Sequence, residues 1–304
     1  MSIAKAVGCP VSNQRVMVTM GVTTMSNQFR KLYVALGVLA GLVFLPALAF
    51  AQAGGGFVET EEGINIVGLG VGQVPDYQGS NDHTTAVGPF LRYYFSGQRY
   101  VNVLGPQITL NVLDDKVWQF GPELVYRLGR DSDVEDAVVK QMNKIDNTVE
   151  AGGFVAASYQ LSEDPRNRFI VSADLVADTG NTHNGYIGTV GVRYWLPVNE
   201  AVVLQAGVGF AYASQDYVQT YYGVSGTDIA LFPSLGGNAY KPDGGVTDVR
   251  ATFGAVVHLS RTWHLGVGAR YQGLQGDAKD SPVVSERGDS NQWIYGVALG
   301  YAWQ

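Results

Sequence analysis

After residue 62 the sequence alternates between large apolar side chains and small or polar ones, and this period of two restricts the fold more than any other feature. Successive side chains of an extended chain point to opposite faces, so period two marks a strand with two unlike faces. Trp118, Phe120, Pro122, Leu124 and Tyr126 form one such face; Gln119, Gly121, Glu123, Val125 and Arg127 form the other. The pattern recurs over Phe169–Ala177, Tyr186–Leu196, Val249–Val257 and Trp263–Tyr271. No apolar run of 18 residues follows residue 51, which excludes a helical membrane span there.

A soluble sandwich also alternates. Two features favour a membrane barrel instead. The polar face carries many glycines and isolated charges of both signs, as a packed lumen does. The apolar faces begin and end in aromatics, as interfacial girdles do. The expected fold is therefore all-β, a transmembrane antiparallel β-barrel of about 12 strands, with 10 as the alternative. The strands are expected at 63–73, 84–95, 99–113, 117–128, 147–160, 167–178, 184–196, 201–212, 217–224, 244–258, 262–272 and 291–303. An even count places both ends of the barrel chain in the periplasm. It also places 74–83, 225–243 and 273–290 outside the cell and 129–146 on the periplasmic side. The last strand alternates Tyr295, Val297, Leu299, Tyr301 and Trp303 with Gly296, Ala298, Gly300 and Ala302. It resembles the signal read by the outer-membrane assembly machinery, although Gln304 follows the final aromatic.

The first 51 residues read differently. Arg30 and Lys31 precede an apolar stretch, Leu32–Phe44; Pro46 breaks it, and Ala49-Phe50-Ala51 has the small-x-small form of a cleavage site. This is the anatomy of a secretory signal peptide cut before Gln52. Met25 would begin a signal of ordinary length, so the expected organisation is a gene-start extension over 1–24, a signal peptide over 25–51 and the barrel over 52–304. Removing the first 51 residues takes away Lys5, Arg15, Arg30 and Lys31 and no acid, so the net charge moves from −7 to −11. It also removes Cys9, the chain's one cysteine, so no disulfide can staple the exported fold. An acidic chain without a Lys/Arg cluster is not a nucleic-acid binder.

Five stretches, in order along the chain, resemble the MipA/OmpV family of MltA-interacting outer-membrane proteins. They are Val74–Ser80, Tyr126–Asp131, Ile145–Gly152, Tyr221–Val224 and Gly276–Val284. Tyr222 stands where the family pattern would have Phe. The resemblance implies a Gram-negative outer-membrane barrel that acts as a scaffold, joining a lytic transglycosylase to a peptidoglycan synthase. It implies no cofactor.

Alternation points Arg92, Arg127, Arg168, Arg193, Arg250 and Arg270 into the lumen, with Glu123, Glu150, Asp174, Asp178 and Asp248. Six basic and five acidic residues nearly cancel. Such a set can close the barrel with cross-lumen ion pairs, line a mixed-charge pore or hold a ligand. The four histidines offer little catalysis. Asp82-His83 lies in a turn without a second acid, and His258 and His264 face the lumen as a pair without a third metal ligand. No catalytic or metal residues are therefore assigned. The segment 129–146 is acidic at its start, and Val134, Val138, Met142 and Ile145 fit one face of a short helix. That stripe can pack on the barrel or serve as a dock for a periplasmic protein. Three functions compete: a scaffold, a passive channel for small solutes and, last, a barrel enzyme for which no nucleophile–base pair can be named.

Overall fold

The computed structural model describes residues 63–304. The expected extension and signal peptide lie outside the described residues. Twelve antiparallel strands close into one barrel: β1 (Asn65–Pro75), β2 (His83–Ser96), β3 (Arg99–Leu104), β4 (Gln107–Asn111), β5 (Trp118–Arg127), β6 (Thr148–Gln160), β7 (Arg168–Asp178), β8 (Tyr186–Pro197), β9 (Val202–Ala213), β10 (Gly245–His258), β11 (Trp263–Leu274) and β12 (Asn291–Trp303). Each strand pairs with its sequence neighbour, and β1 closes on β12 in the register Val67↔Tyr301 to Gln73↔Tyr295. The expected last strand is thus the closing strand.

Alternation reads directly as inside and outside. On β5, Trp118, Phe120, Pro122 and Leu124 are exposed, while Glu123, Val125 and Arg127 are buried. Large apolar side chains cover the outside because lipid, not water, is their solvent. Aromatics end this band at both rims. Phe95, Trp118, Tyr159, Trp263 and Tyr301 lie at the rim of the short turns, and Tyr186, Tyr212, Trp293 and Tyr295 at the other.

Two expected strands are corrected. The stretch 99–113 is a hairpin, β3 and β4, turned at Gly105-Pro106. Gly105 takes a positive φ of 54°, and Pro106 has no N–H to continue the ladder. The stretch 217–224 is not a strand: Gln215–Tyr222 forms a helix, α1. Tyr217, Val218, Tyr221 and Tyr222 occupy one helical face, and all four are buried.

The two corrections cancel in strand count but not in sidedness. The segment 128–147 follows five strands rather than four, so it lies at the rim opposite the C-terminus. The loops 76–82, 179–185, 214–244 and 275–290 share that rim, and the turns 97–98, 112–117, 161–167, 198–201 and 259–262 occupy the other. Long loops face outward in such barrels and short turns face the periplasm. The expectation of a periplasmic 129–146 segment is therefore overturned. Nor is it a helix: a single 3-10 turn, Val139–Gln141, is its regular structure.

The capped lumen as candidate functional site

The outer loops fold inward and form a cap. Tyr77, Val134, Val139, Met142, Val224, Phe232 and Val283 pack as one apolar cluster drawn from four different loops, with Val138 against it. Ile145 joins the cluster below, with Tyr217, Val218, Tyr221, Tyr222 and Val284. The stripe Val134, Val138, Met142 and Ile145, weighed as a dock, is spent on packing inside this cap. Two short helices, α2 (Gly276–Asp280) and α3 (Pro282–Ser285), complete it. Ser281 caps α3 by accepting from Val283 N, and its hydroxyl donates to the Tyr222 carbonyl at 2.6 Å. Gly79 sits at φ +94°, where a Cβ would press on Val284 Cγ2, so the loop can touch α3 because it has no side chain there.

Polar bonds tie the loops together. Gln78 donates from its amide nitrogen to the Tyr217 hydroxyl (3.1 Å), and its amide oxygen accepts from the Tyr222 hydroxyl (3.1 Å). Arg287 holds Asp136 at 2.7 Å, and Asp76 accepts from Glu135 N at 2.8 Å. Burial acts to raise the Asp136 pKa, but the Arg287 hydrogen bond and the N–H groups of Val138 and Val139 together hold it below the ordinary carboxylate value. Burial pushes the Tyr77 phenol up to about 12, with Asp136 adding to it. The Tyr222 phenol is raised in the same direction, again chiefly by burial.

Beneath α1 lies the best-defined cluster. Arg127 donates twice to Glu150, from Nε at 2.5 Å and Nη2 at 2.7 Å. Glu150 is fully buried, and Oε1 also meets His183 Nε2 at 2.9 Å. His183 Nδ1 accepts from Gly185 N, which places the ring proton on Nε2, toward Glu150. The imidazole stands edge-on to Tyr217 at 5.1 Å, and the Arg127 guanidinium covers the same ring. Among the described residues Asp178 binds no arginine. It accepts from Thr148 Oγ1 and from the N–H groups of Gly180, His183 and Asn184, which folds the 179–185 loop.

The rest of the expected lumen set is spread down the barrel. Asp248 and Arg250 pair along their own strand at 2.5 Å, beside a bulge between Val246 and Asp248. Glu123 accepts from Gln107 at 2.6 Å. Arg92 lies over Tyr100 and bonds Asn102; Arg168 lies over Trp195; Arg270 donates to Gln272. Asp174 and Arg193 line the lower lumen. The two ion pairs formed within the set join neighbouring strands or one strand, not opposite walls. His258 and His264 meet through Nδ1 at 2.6 Å. Sequence reasoning gave no role to His183 or to the three tyrosines of α1. Their i, i+4 and i, i+5 spacing from Tyr217 was the available signal.

Two cavities flank the middle of the lumen, about 160 Å³ under α1 and about 190 Å³ below it. Glu123, Asp174 and Arg250 line both. The lower end is filled by Phe90 with Ile66 and by Trp195 with Val203 and Val256.

These features define an outer-membrane β-barrel with a folded-in extracellular cap and a charge-balanced, largely filled lumen. The family described as MltA-interacting protein MipA matches residues 67–303, and the chain belongs to it. No curated protein matches the chain significantly. Solved structures with a similar barrel share little sequence. The NanC porin is 11% identical over 78% of this chain and 98% of its own (TM-score 0.42). The COG4313 outer-membrane channel of Pseudomonas putida F1 is 9% identical over 81% and 97% (TM-score 0.44). The translocator domain of the autotransporter NalP of Neisseria meningitidis is 12% identical over 92% and 98% (TM-score 0.35).

Proposed function

We propose that this protein is a non-enzymatic outer-membrane scaffold, exported by its signal peptide, that holds a lytic transglycosylase, and through it a peptidoglycan synthase, at the inner face of the outer membrane. Family membership over the whole barrel carries this reading. The filled lumen agrees with it, because a scaffold needs a stable wall rather than a wide pore.

The sidedness of the chain supports one docking face for such a partner. The segment 128–147 faces outward, so the partner meets the rim of short turns. That rim presents Asp114, Asp115, Lys116, Glu163 and Glu200, all exposed. The test is binding of purified lytic transglycosylase to the detergent-solubilised barrel. Glu163→Lys with Glu200→Lys should weaken binding at least tenfold, whereas Phe232→Ala in the cap should not change it. Undiminished binding of the double variant would remove the rim from the proposal. Failure of the unaltered barrel to bind, together with steady ion conductance in planar bilayers, would replace the scaffold by a channel.

A further inference from the structure

The barrel is closed, but between β2 and β5 its hydrogen-bonded wall stops short of the outer rim. Strand β2 pairs with β3 from Phe90↔Leu104 down to Ser96↔Arg99, and β5 pairs with β4 from Thr109↔Glu123 up to Gln107↔Val125. The β3–β4 hairpin ends there, at Gly105-Pro106. Residues His83–Pro89 of β2 continue outward, paired with β1 on one side and with no strand on the other among the described residues. At the rise of an ordinary strand this edge is about 20 Å long. The opening is framed on every side. Its floor is the hairpin turn, held by Gly105 N to Pro89 O (2.8 Å) and Tyr126 N to Pro106 O (2.9 Å). One jamb is the free edge of β2. The other is β5 with its continuation, which the Arg130↔Ile145 bridge ties to the returning arm of the 128–147 loop. The lintel is the contact of Asp76 with Glu135 N.

Sequence chemistry fits a deliberate edge. Pro89 and Pro106 have no N–H to strand in the gap, and proline within sheets belongs at such edges. The remaining free backbone groups of β2 cannot be left against hydrocarbon, so something polar must meet them. By alternation the apolar Val87, Pro89 and Tyr126 face outward beside the lower part of the opening, and the polar, exposed His83 and Thr85 face outward beside its upper part, the level of the lipid head groups. The 160 Å³ cavity under α1 reaches the frame, because Thr84, Gln107, Leu128 and Asp76 all line it. Thr84 points inward by alternation and is exposed.

The cavity also carries unsatisfied polar groups. Glu123 Oε2, Arg130 Nε and the Tyr221 hydroxyl have no hydrogen-bond partner, and all three side chains are more than nine-tenths buried. Acceptor and donors thus face one space. Four carboxylates and four guanidiniums line it, so it favours no net charge. We propose that the gap between β2 and β5 is a side entrance from the outer leaflet. Through it the cavity takes the net-neutral, hydroxyl- or amide-bearing head of an acyl-chain amphiphile. The cavity holds a head group only, so the acyl chain stays in the bilayer.

The test uses single cysteines, with Cys9 replaced by alanine, labelled with a bimane fluorophore in reconstituted vesicles. Thr84→Cys and Gln107→Cys report on the frame, and Thr252→Cys reports on the lumen wall of β10, outside the frame. The quencher is a doxyl-labelled acyl chain carried either by a glucosyl lipid or by phosphatidylglycerol. Gln107→Cys removes a hydrogen bond to Glu123; Thr84→Cys does not, so it keeps the test valid if the former fails to fold. The proposal expects the glucosyl quencher to act at least fivefold more strongly at position 84 or 107 than at 252. Equal quenching at all positions would overturn the side entrance. Stronger quenching by phosphatidylglycerol would overturn the neutral head group.

Discussion

The two rims of this barrel are built on different principles. At the periplasmic rim three of the four longer turns are each closed by one short polar side chain that accepts two N–H groups. Asp115 accepts from the N–H groups of Val117 and Trp118, Asn199 from Ala201 and Val202, and Ser260 from Thr262 and Trp263. These closing bonds are local, each made within its own turn. At the outer rim local turn bonds occur too, as at Asp178 and Asp136, but the loops are joined by packing over long sequence distances. Tyr77, Met142, Phe232 and Val283 lie far apart in sequence and form one cluster. Stability outside comes from burial between loops, and stability inside the periplasm comes from turn chemistry. Substitutions should therefore act cooperatively at one rim and singly at the other.

The sharpest way to break the comparison is to ask whether the rims are assigned to the correct sides. Asn143 is exposed on the cap segment, and Asp114 is exposed on a periplasmic turn. In intact cells an impermeant maleimide should label Asn143→Cys fully and Asp114→Cys not at all. The reverse pattern would invert every statement made about the two rims.

Next in size is the buried cluster under the cap. Arg127→Met leaves the fully buried Glu150 with His183 alone. Breaking one side of a buried ion pair costs about 3–5 kcal/mol. The variant should lose its compact, heat-modifiable band on cold gels at a clearly lower temperature than the parent. A melting temperature within about two degrees of the parent's would mean that the pair is solvated and that α1 does not seal the lumen.

The cap should also respond to alkali. The Tyr77 phenol has its pKa raised from 10.0 to about 12 by burial. A raised folded value means that the contribution to stability is complete below the unfolded value. It is lost as pH rises through the folded one. Between pH 10 and 12 the opened cap ionises its phenols while the packed cap does not, so opening becomes progressively easier. Protease cleavage within 225–243 should rise over that window, while turn 161–167 stays uncut. Equal cleavage at both would erase the distinction between packed and local rims.

Sequence alone carried the barrel, its lipid face and the inward charges, because each strand has two solvents and so two compositions. Glu123 beside Leu124 is legible in this way. It could not carry the cap. The Tyr217–Tyr222 stretch is aromatic and β-branched enough to suit a strand, and its helix is set by what it packs against: Gln78, Arg127 and His183. The Gly105-Pro106 dipeptide was a readable stop, and reading through it misplaced the 129–146 segment. One missed turn and one false strand left the count of twelve intact while reversing the side of a loop. Strand number is thus a weaker constraint than strand parity at each loop.

The smallest effect is expected at the periplasmic rim. Arg166 forms a fork with Asp164, at 3.0 and 2.7 Å, and reaches the carbonyls of Asn199 and Glu200 on the next turn. Geometry alone would make this look as important as Arg127 on Glu150. The surroundings differ. The Asp164 side chain is one-third exposed, whereas that of Glu150 is fully buried. Water already solvates the first carboxylate, so losing its partner leaves no stranded charge. Exposed pairs contribute about 0–1 kcal/mol. Arg166→Ala should therefore shift the unfolding temperature little, and that shift should shrink further in high salt. The Arg127→Met loss should be insensitive to salt, because ions do not enter the packed site. Measuring both variants at low and high salt separates the two rims by mechanism rather than by size. A salt-independent loss at Arg166 comparable to that at Arg127 would show that the periplasmic turns are held by packing as well, and the contrast between the rims would fail.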